Sequence, residues 1–78
     1  MEKKKYVFNT AKLRGRIVEK YKTIMEFSRQ TSKGKQFVLN VLNNRSQLSH
    51  ADMCEWIELL DIPAYEIDSY FFVYQVLV

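Results

Sequence analysis

The sequence predicts an all-α fold: five short helices packed around one small core in a chain of 78 residues. Three observations carry that expectation. Gly15, Gly34 and Pro63 are the only glycines and proline, too few breakers for a turn-rich β fold. Two Ser/Thr-x-x-acid signatures, Thr23 with Glu26 and Ser49 with Asp52, each open an apolar run as a capping box does. Met53, Trp56, Ile57 and Leu60 recur at i, i+3, i+4 and i+7, the spacing of one buried helix face. A composition 47% hydrophobic, with five Phe, five Tyr and one Trp, excludes a disordered chain.

Taken in order, residues 1–8 read as a basic N-terminal arm holding the apolar triplet Tyr6-Val7-Phe8. The helical domain occupies 9–72. Its first helix starts at Asn9 or Thr10, either able to cap, and runs to about Tyr21 with Leu13, Ile17 and Tyr21 on one stripe. Gly15 inside it costs roughly 1 kcal/mol relative to Ala, and close approach by a neighbouring helix is one reason to tolerate it. The second helix begins at Thr23 and turns Phe27 inward, with Ile24 beside it. It stops at Thr31-Ser32-Lys33-Gly34. A third spans about Lys35 to Asn43 with Val38, Val41 and Leu42 in the core, and the fourth follows Ser49. Asp61-Ile62-Pro63 ends the fourth, and Pro63 suits the first turn of a fifth carrying Ile67, Tyr70 and Phe71 inward. The tail, 73–78, belongs to the β-branched and aromatic run FFVYQVLV, which can leave the helix as a short strand.

The residues give little support to catalysis. One His and one Cys supply neither a metal cluster nor a Cys–His–acid set, and no glycine-rich phosphate loop exists, so neither catalytic nor metal-binding residues nor a cofactor are expected. Asp52, Glu55, Glu58 and Asp61 read as the solvated face of helix four. A single cysteine suits a reducing cytoplasm. The N-terminus lacks the apolar core of a secretory signal, and no stretch is long enough to span a bilayer.

Charge is informative. All twelve Lys and Arg lie at or before Arg45 against three acids, net +9. The other 33 residues hold six acids and no Lys or Arg, net −6. Such polarity predicts one basic side facing a polyanion. The two helices between Thr23 and Asn43, joined by a tight turn, match a helix-turn-helix, whose second helix enters the major groove. Ser28 serves as the small residue where the helices touch. Lys35, Gln36, Leu39, Asn40 and Asn43 point away from the core. Gln36 and Asn40 can pair with adenine, Lys35 can reach guanine or phosphate, and Leu39 can touch a thymine methyl. Asn44, Arg45 and Lys33 are expected to hold phosphates.

KLRGRIVEKY (12–21), the spacing from Thr23 and Phe27 to LNN (42–44), and ELLDIP (58–63) followed by YFF (70–72) together resemble the small Cro/repressor-like proteins of bacteriophages and prophages. These are lambda-repressor-like helix-turn-helix domains of the xenobiotic-response-element class, and the likeness covers about residues 12 to 72. It implies a compact all-α domain that binds operator DNA as a dimer to regulate transcription. It also implies groove-facing positions at Gly34, Lys35, Gln36, Leu39, Asn40 and Asn43, with Thr23 near a phosphate. The chain departs from the family at the turn. Where the family places apolar, glycine, apolar, this sequence has Thr31, Ser32 and Lys33, so a left-handed turn at Ser32 is expected to be strained.

The segment from Tyr70 to Val78 is too apolar for a domain this small to hide easily. One reading is a homodimer contact through Tyr70, Phe71, Phe72, Tyr74, Val76 and Val78; the other pairs the tail with Tyr6-Val7-Phe8 of the same chain. Lys3, Lys4 and Lys5 can supply a phosphate-contacting arm. The function expected is a sequence-specific, non-catalytic regulator of Cro/repressor type that occupies operator duplex DNA. The rival is a helix-turn-helix scaffold reused to bind a host or phage protein, as an antirepressor or host-factor inhibitor. RNA binding through the same basic face is weaker still.

Overall fold

A computed structural model describes residues 5–72 and 74–77. Lys3 and Lys4 of the arm and Val78 of the tail lie outside the described residues. The order is β1 (Lys5–Phe8), α1 (Ala11–Tyr21), α2 (Ile24–Gln30), α3 (Gly34–Leu42), α4 (His50–Leu59), a 3-10 turn (Ala64–Glu66), α5 (Ile67–Phe71) and β2 (Tyr74–Leu77). The five helices of the expected class are present, with α2 and α3 as the helix-turn-helix pair. The tail is a strand, and it pairs antiparallel with the arm: Lys5 opposite Leu77, Tyr6 opposite Val76, Val7 opposite Gln75 and Phe8 opposite Tyr74. Arm and tail are therefore two strands of one ribbon rather than separate appendages.

The core is built from every helix. Leu13 and Ile17 of α1, Phe27 of α2, Val38, Val41 and Leu42 of α3, Trp56 and Leu60 at α4, Ile62, and Tyr70 and Phe71 of α5 are all buried. Phe27 sits between two rings, edge-on to Trp56 at 5.0 Å and tilted to Tyr21 at 5.4 Å between centroids. Such pairs add about 0.5–1.5 kcal/mol beyond the area they bury. Ser28 is buried as well, and its hydroxyl donates back to the Ile24 carbonyl at 2.7 Å.

The helix ends follow local chemistry. At α1 the Asn9 side chain accepts from Ala11 N–H at 3.0 Å. Thr10, the alternative cap, turns its hydroxyl inward to donate to the Leu42 carbonyl at 3.1 Å. The Thr23 hydroxyl accepts from Glu26 N–H. Ser49 and Asp52 form a reciprocal capping box at α4. Both α3 and α4 end in Schellman closures. In α3, Asn44 takes φ 60°, with Asn44 N–H bonded to Val41 O and Arg45 N–H to Asn40 O. In α4, Asp61 takes φ 50°, with Asp61 N–H bonded to Glu58 O and Ile62 N–H to Ile57 O. Pro63 then opens the 3-10 turn.

Two expectations fail. Gly15 is exposed, and a Cβ added there would meet nothing within 4 Å, so no helix approaches it closely. Tyr70 and Phe71, read both as core residues and as dimer contacts, are buried within the chain and leave no surface for a second copy. Of the described side chains in that set, only Phe72 is exposed; Tyr74 and Val76 stand in β2. No described helix is long and apolar enough to cross a membrane.

Candidate nucleic-acid interface

The α3 stripe of Val38, Val41 and Leu42 is buried. Lys35, Gln36 and Asn43 are exposed, while Leu39 and Asn40 are half-buried. The five outward positions read from the sequence thus line one accessible face. Gln36 and Asn40, one turn apart, are joined by a bond from Gln36 Nε2 to Asn40 Oδ1 at 3.0 Å. That bond joins the two amides and leaves the Gln36 carbonyl and the Asn40 NH2 as a complementary acceptor and donor. At the far end Asn43 Oδ1 accepts from Arg14 Nη2 at 3.0 Å, and the same nitrogen donates to the Leu42 carbonyl at 3.2 Å. Arg14 thereby ties α1 to the end of α3. Nothing in the sequence flags it, because the two positions lie far apart in the chain.

The turn before α3 differs from the pattern of the Cro/repressor-like domains that the sequence resembles, and also from the expectation of strain. The left-handed residue is Gly34, at φ 80°, and not Ser32. Glycine holds that conformation at little steric cost. The turn lacks apolar anchors but is tied down by polar ones. Thr31 Oγ1 donates to Ser28 O at 2.9 Å and accepts from Gly34 N–H at 3.2 Å. The Glu55 carboxylate accepts from Ser32 N–H at 3.1 Å and from its hydroxyl at 3.4 Å. Lys33 Nζ donates to Asp52 Oδ2 at 3.0 Å and lies 4.8 Å from the Phe37 ring centroid.

Two sequence readings change here. Asp52 is not on a solvated face; it retains 6% exposure and accepts bonds from Lys33 and from the Ser49 hydroxyl and N–H. Burial pushes its carboxyl up, but the hydrogen bonds from Lys33 and Ser49 outweigh that and hold it below the ordinary aspartate value. Lys33, in turn, bonds Asp52 while its side chain stays half exposed, so the ion pair would compete with a phosphate contact.

The charge polarity of the sequence is partly neutralised across the fold. Lys12 pairs with Glu66 at 3.9 Å, Lys20 with Asp61, and Lys33 with Asp52, each an N-terminal cation on a C-terminal acid. The Lys20 hydrogen bond and charge hold the Asp61 carboxyl below its ordinary value. Arg16 donates to the Leu60 and Asp61 carbonyls at 2.8 and 3.0 Å, placing a cation at the negative end of α4. Among the described residues, Arg14, Lys22, Lys35 and Arg45 make no ion pair within 4 Å. Lys35 and Arg45 bracket α3. Lys22, exposed at φ 69°, sits beside Thr23 at the start of α2; its position next to a helix-opening Thr was the available signal for it. Asn44 was read as a phosphate ligand, but its left-handed backbone already accounts for an asparagine there.

A family model described as "Protein of unknown function (DUF739)" matches residues 6–74. The chain belongs to the DUF739 family. The DUF739 match runs from β1 through all five helices to the first residue of β2, so the α3 face, the braced turn and the unpaired cations all fall inside the family unit. A search of curated proteins finds no match to this DUF739 chain.

Proposed function

We propose that this protein is a sequence-specific, non-catalytic regulator of phage or prophage Cro/repressor type that acts by occupying duplex operator DNA. The observation that carries the reading is the α3 face itself: a bonded Gln36–Asn40 amide pair beside Leu39, bracketed by Lys35 and Arg45, which make no ion pair among the described residues. Amides specify adenine in the major groove, and flanking cations fix register on the phosphates. Thr23 and Lys22 at the start of α2 supply further backbone contacts. A bacterial cytoplasm and a two-fold homodimer, matching a two-fold operator, belong to the same proposal. With Tyr70 and Phe71 buried, the dimer surface falls to Phe72 and the ribbon.

Mobility-shift titrations at two salt concentrations test it. Gln36→Ala and Asn40→Ala should relax discrimination between operator variants by about 1–3 kcal/mol. Arg45→Ala and Lys35→Ala should weaken all sequences alike, each lowering the salt slope by about one. Lys33→Ala should leave that slope nearly unchanged. Indistinguishable profiles for the amide and cation variants would take α3 out of the groove. A second reading, a helix-turn-helix scaffold that binds a protein partner, is favoured by Tyr65 at 88% and Phe72 at 52% exposure. Retention of a host or phage protein that is lost in Tyr65→Ala, without any DNA shift, would support that alternative.

A further inference from the structure

Gly34 introduces a mechanical difficulty at the start of α3. A glycine at φ 80° is a swivel: with no Cβ it tolerates a wide range of backbone angles, and a Cβ there would meet nothing within 4 Å. The core packing of Val38, Val41 and Leu42 and the Arg14 contacts hold the body of α3, but the angle at its start depends also on whatever clamps the residues before Gly34. In this chain the clamp comes from α4. Asp52 and Glu55 lie three positions apart, on one face of the first turns of α4. They grip consecutive residues of the turn, Asp52 holding the Lys33 ammonium and Glu55 holding the Ser32 N–H and hydroxyl. Glu55 has no cation within 4 Å among the described residues, and its carboxylate accepts from Ser32 instead. Bonds to a carboxylate are roughly twice as strong as neutral ones.

We propose that Asp52 and Glu55 are positioning residues that fix the angle at which α3 leaves the turn, and with it the angle at which α3 meets DNA. The second half rests on the DNA-binding reading above; the first does not. Both acids otherwise resemble ordinary helix-start residues, and Asp52 also caps α4. Their contacts to Ser32 and Lys33 are what separate the two roles.

The test uses the full chain. Glu55→Ala removes the grip on Ser32, while Glu55→Gln keeps an oxygen of the same reach. Lys33→Met releases Asp52 from the turn without touching the Ser49–Asp52 cap. Residual dipolar couplings of backbone amides report the orientation of α3, with α1 and α4 as internal references for an intact fold. The expected result is a changed α3 orientation in Glu55→Ala and Lys33→Met and a near-native one in Glu55→Gln. Exchange of the Ser32 amide should be on the order of tenfold faster in Glu55→Ala. On DNA, Glu55→Ala should lose about tenfold in operator affinity and retain non-specific binding. Unchanged α3 couplings in both Glu55→Ala and Lys33→Met would overturn the proposal whatever the DNA results. Changed couplings in a protein that binds no DNA would uphold the positioning role and reject the function proposed above.

Discussion

At the scale of single residues, the two glycines make opposite predictions. Gly15 lies exposed in α1 with open space around it, so Gly15→Ala should stabilise the protein by about 0.5–1 kcal/mol. Gly34 holds a left-handed conformation, and Gly34→Ala should cost about 1–2 kcal/mol, both read from urea unfolding midpoints. Asp52 predicts a pH dependence. Its carboxyl is held below the ordinary value in the folded state, so its contribution is present above the unfolded value of about 3.9 and lost as pH falls through the lowered folded value. Asp52→Asn should therefore unfold at lower urea than the parent at pH 7, with the gap closing as pH falls below the ordinary aspartate value. The capping role of Asp52 was legible from its spacing to Ser49. Its partnership with Lys33 was not, because no local pattern joins two residues that meet only through the packing of α4 on the turn.

Among the elements, α4 and α1 were the most legible, since Trp56, Leu60, Leu13 and Ile17 fall at helical spacing and are all buried. The central feature is the stack of Tyr21, Phe27 and Trp56, one ring from each of α1, α2 and α4. Phe27→Ala should cost about 3–5 kcal/mol, enough to unfold much of a domain this small, and thermal unfolding followed by near-ultraviolet circular dichroism would show it. The turn between α2 and α3 was least legible. Its residues announce that apolar anchors are missing, yet what replaces them sits on α4, and the left-handed backbone had shifted to Gly34, two residues beyond Ser32. The tail resisted reading for another reason. Alternating apolar residues suit pairing within a chain and between chains equally well, and only the register with β1 separates them.

For the whole molecule, the lesson concerns charge. A sequence split into +9 and −6 halves suggested one large basic face, but folding brings the halves together and spends Lys12, Lys20 and Lys33 on acids of the other half. These pairs are mostly at the surface and contribute about 0–1 kcal/mol each. Raising salt from 50 to 500 mM should therefore shift the unfolding midpoint little, even where it abolishes binding to a polyanion. The ribbon bears on how the fold comes into being. Lys5 opposite Leu77 joins the two ends of the described chain, so this contact closes the longest loop among the described residues and carries the largest closure entropy there. The helices, whose bonds are local, can form long before it. On a ribosome β2 is the last described element to emerge, and β1 must wait through the synthesis of every helix for its partner. The ribbon thus forms only after every described helix has been made. A chain stopped after Phe72 should still show helical circular dichroism and a buried Trp56, with its N-terminal strand left unpaired.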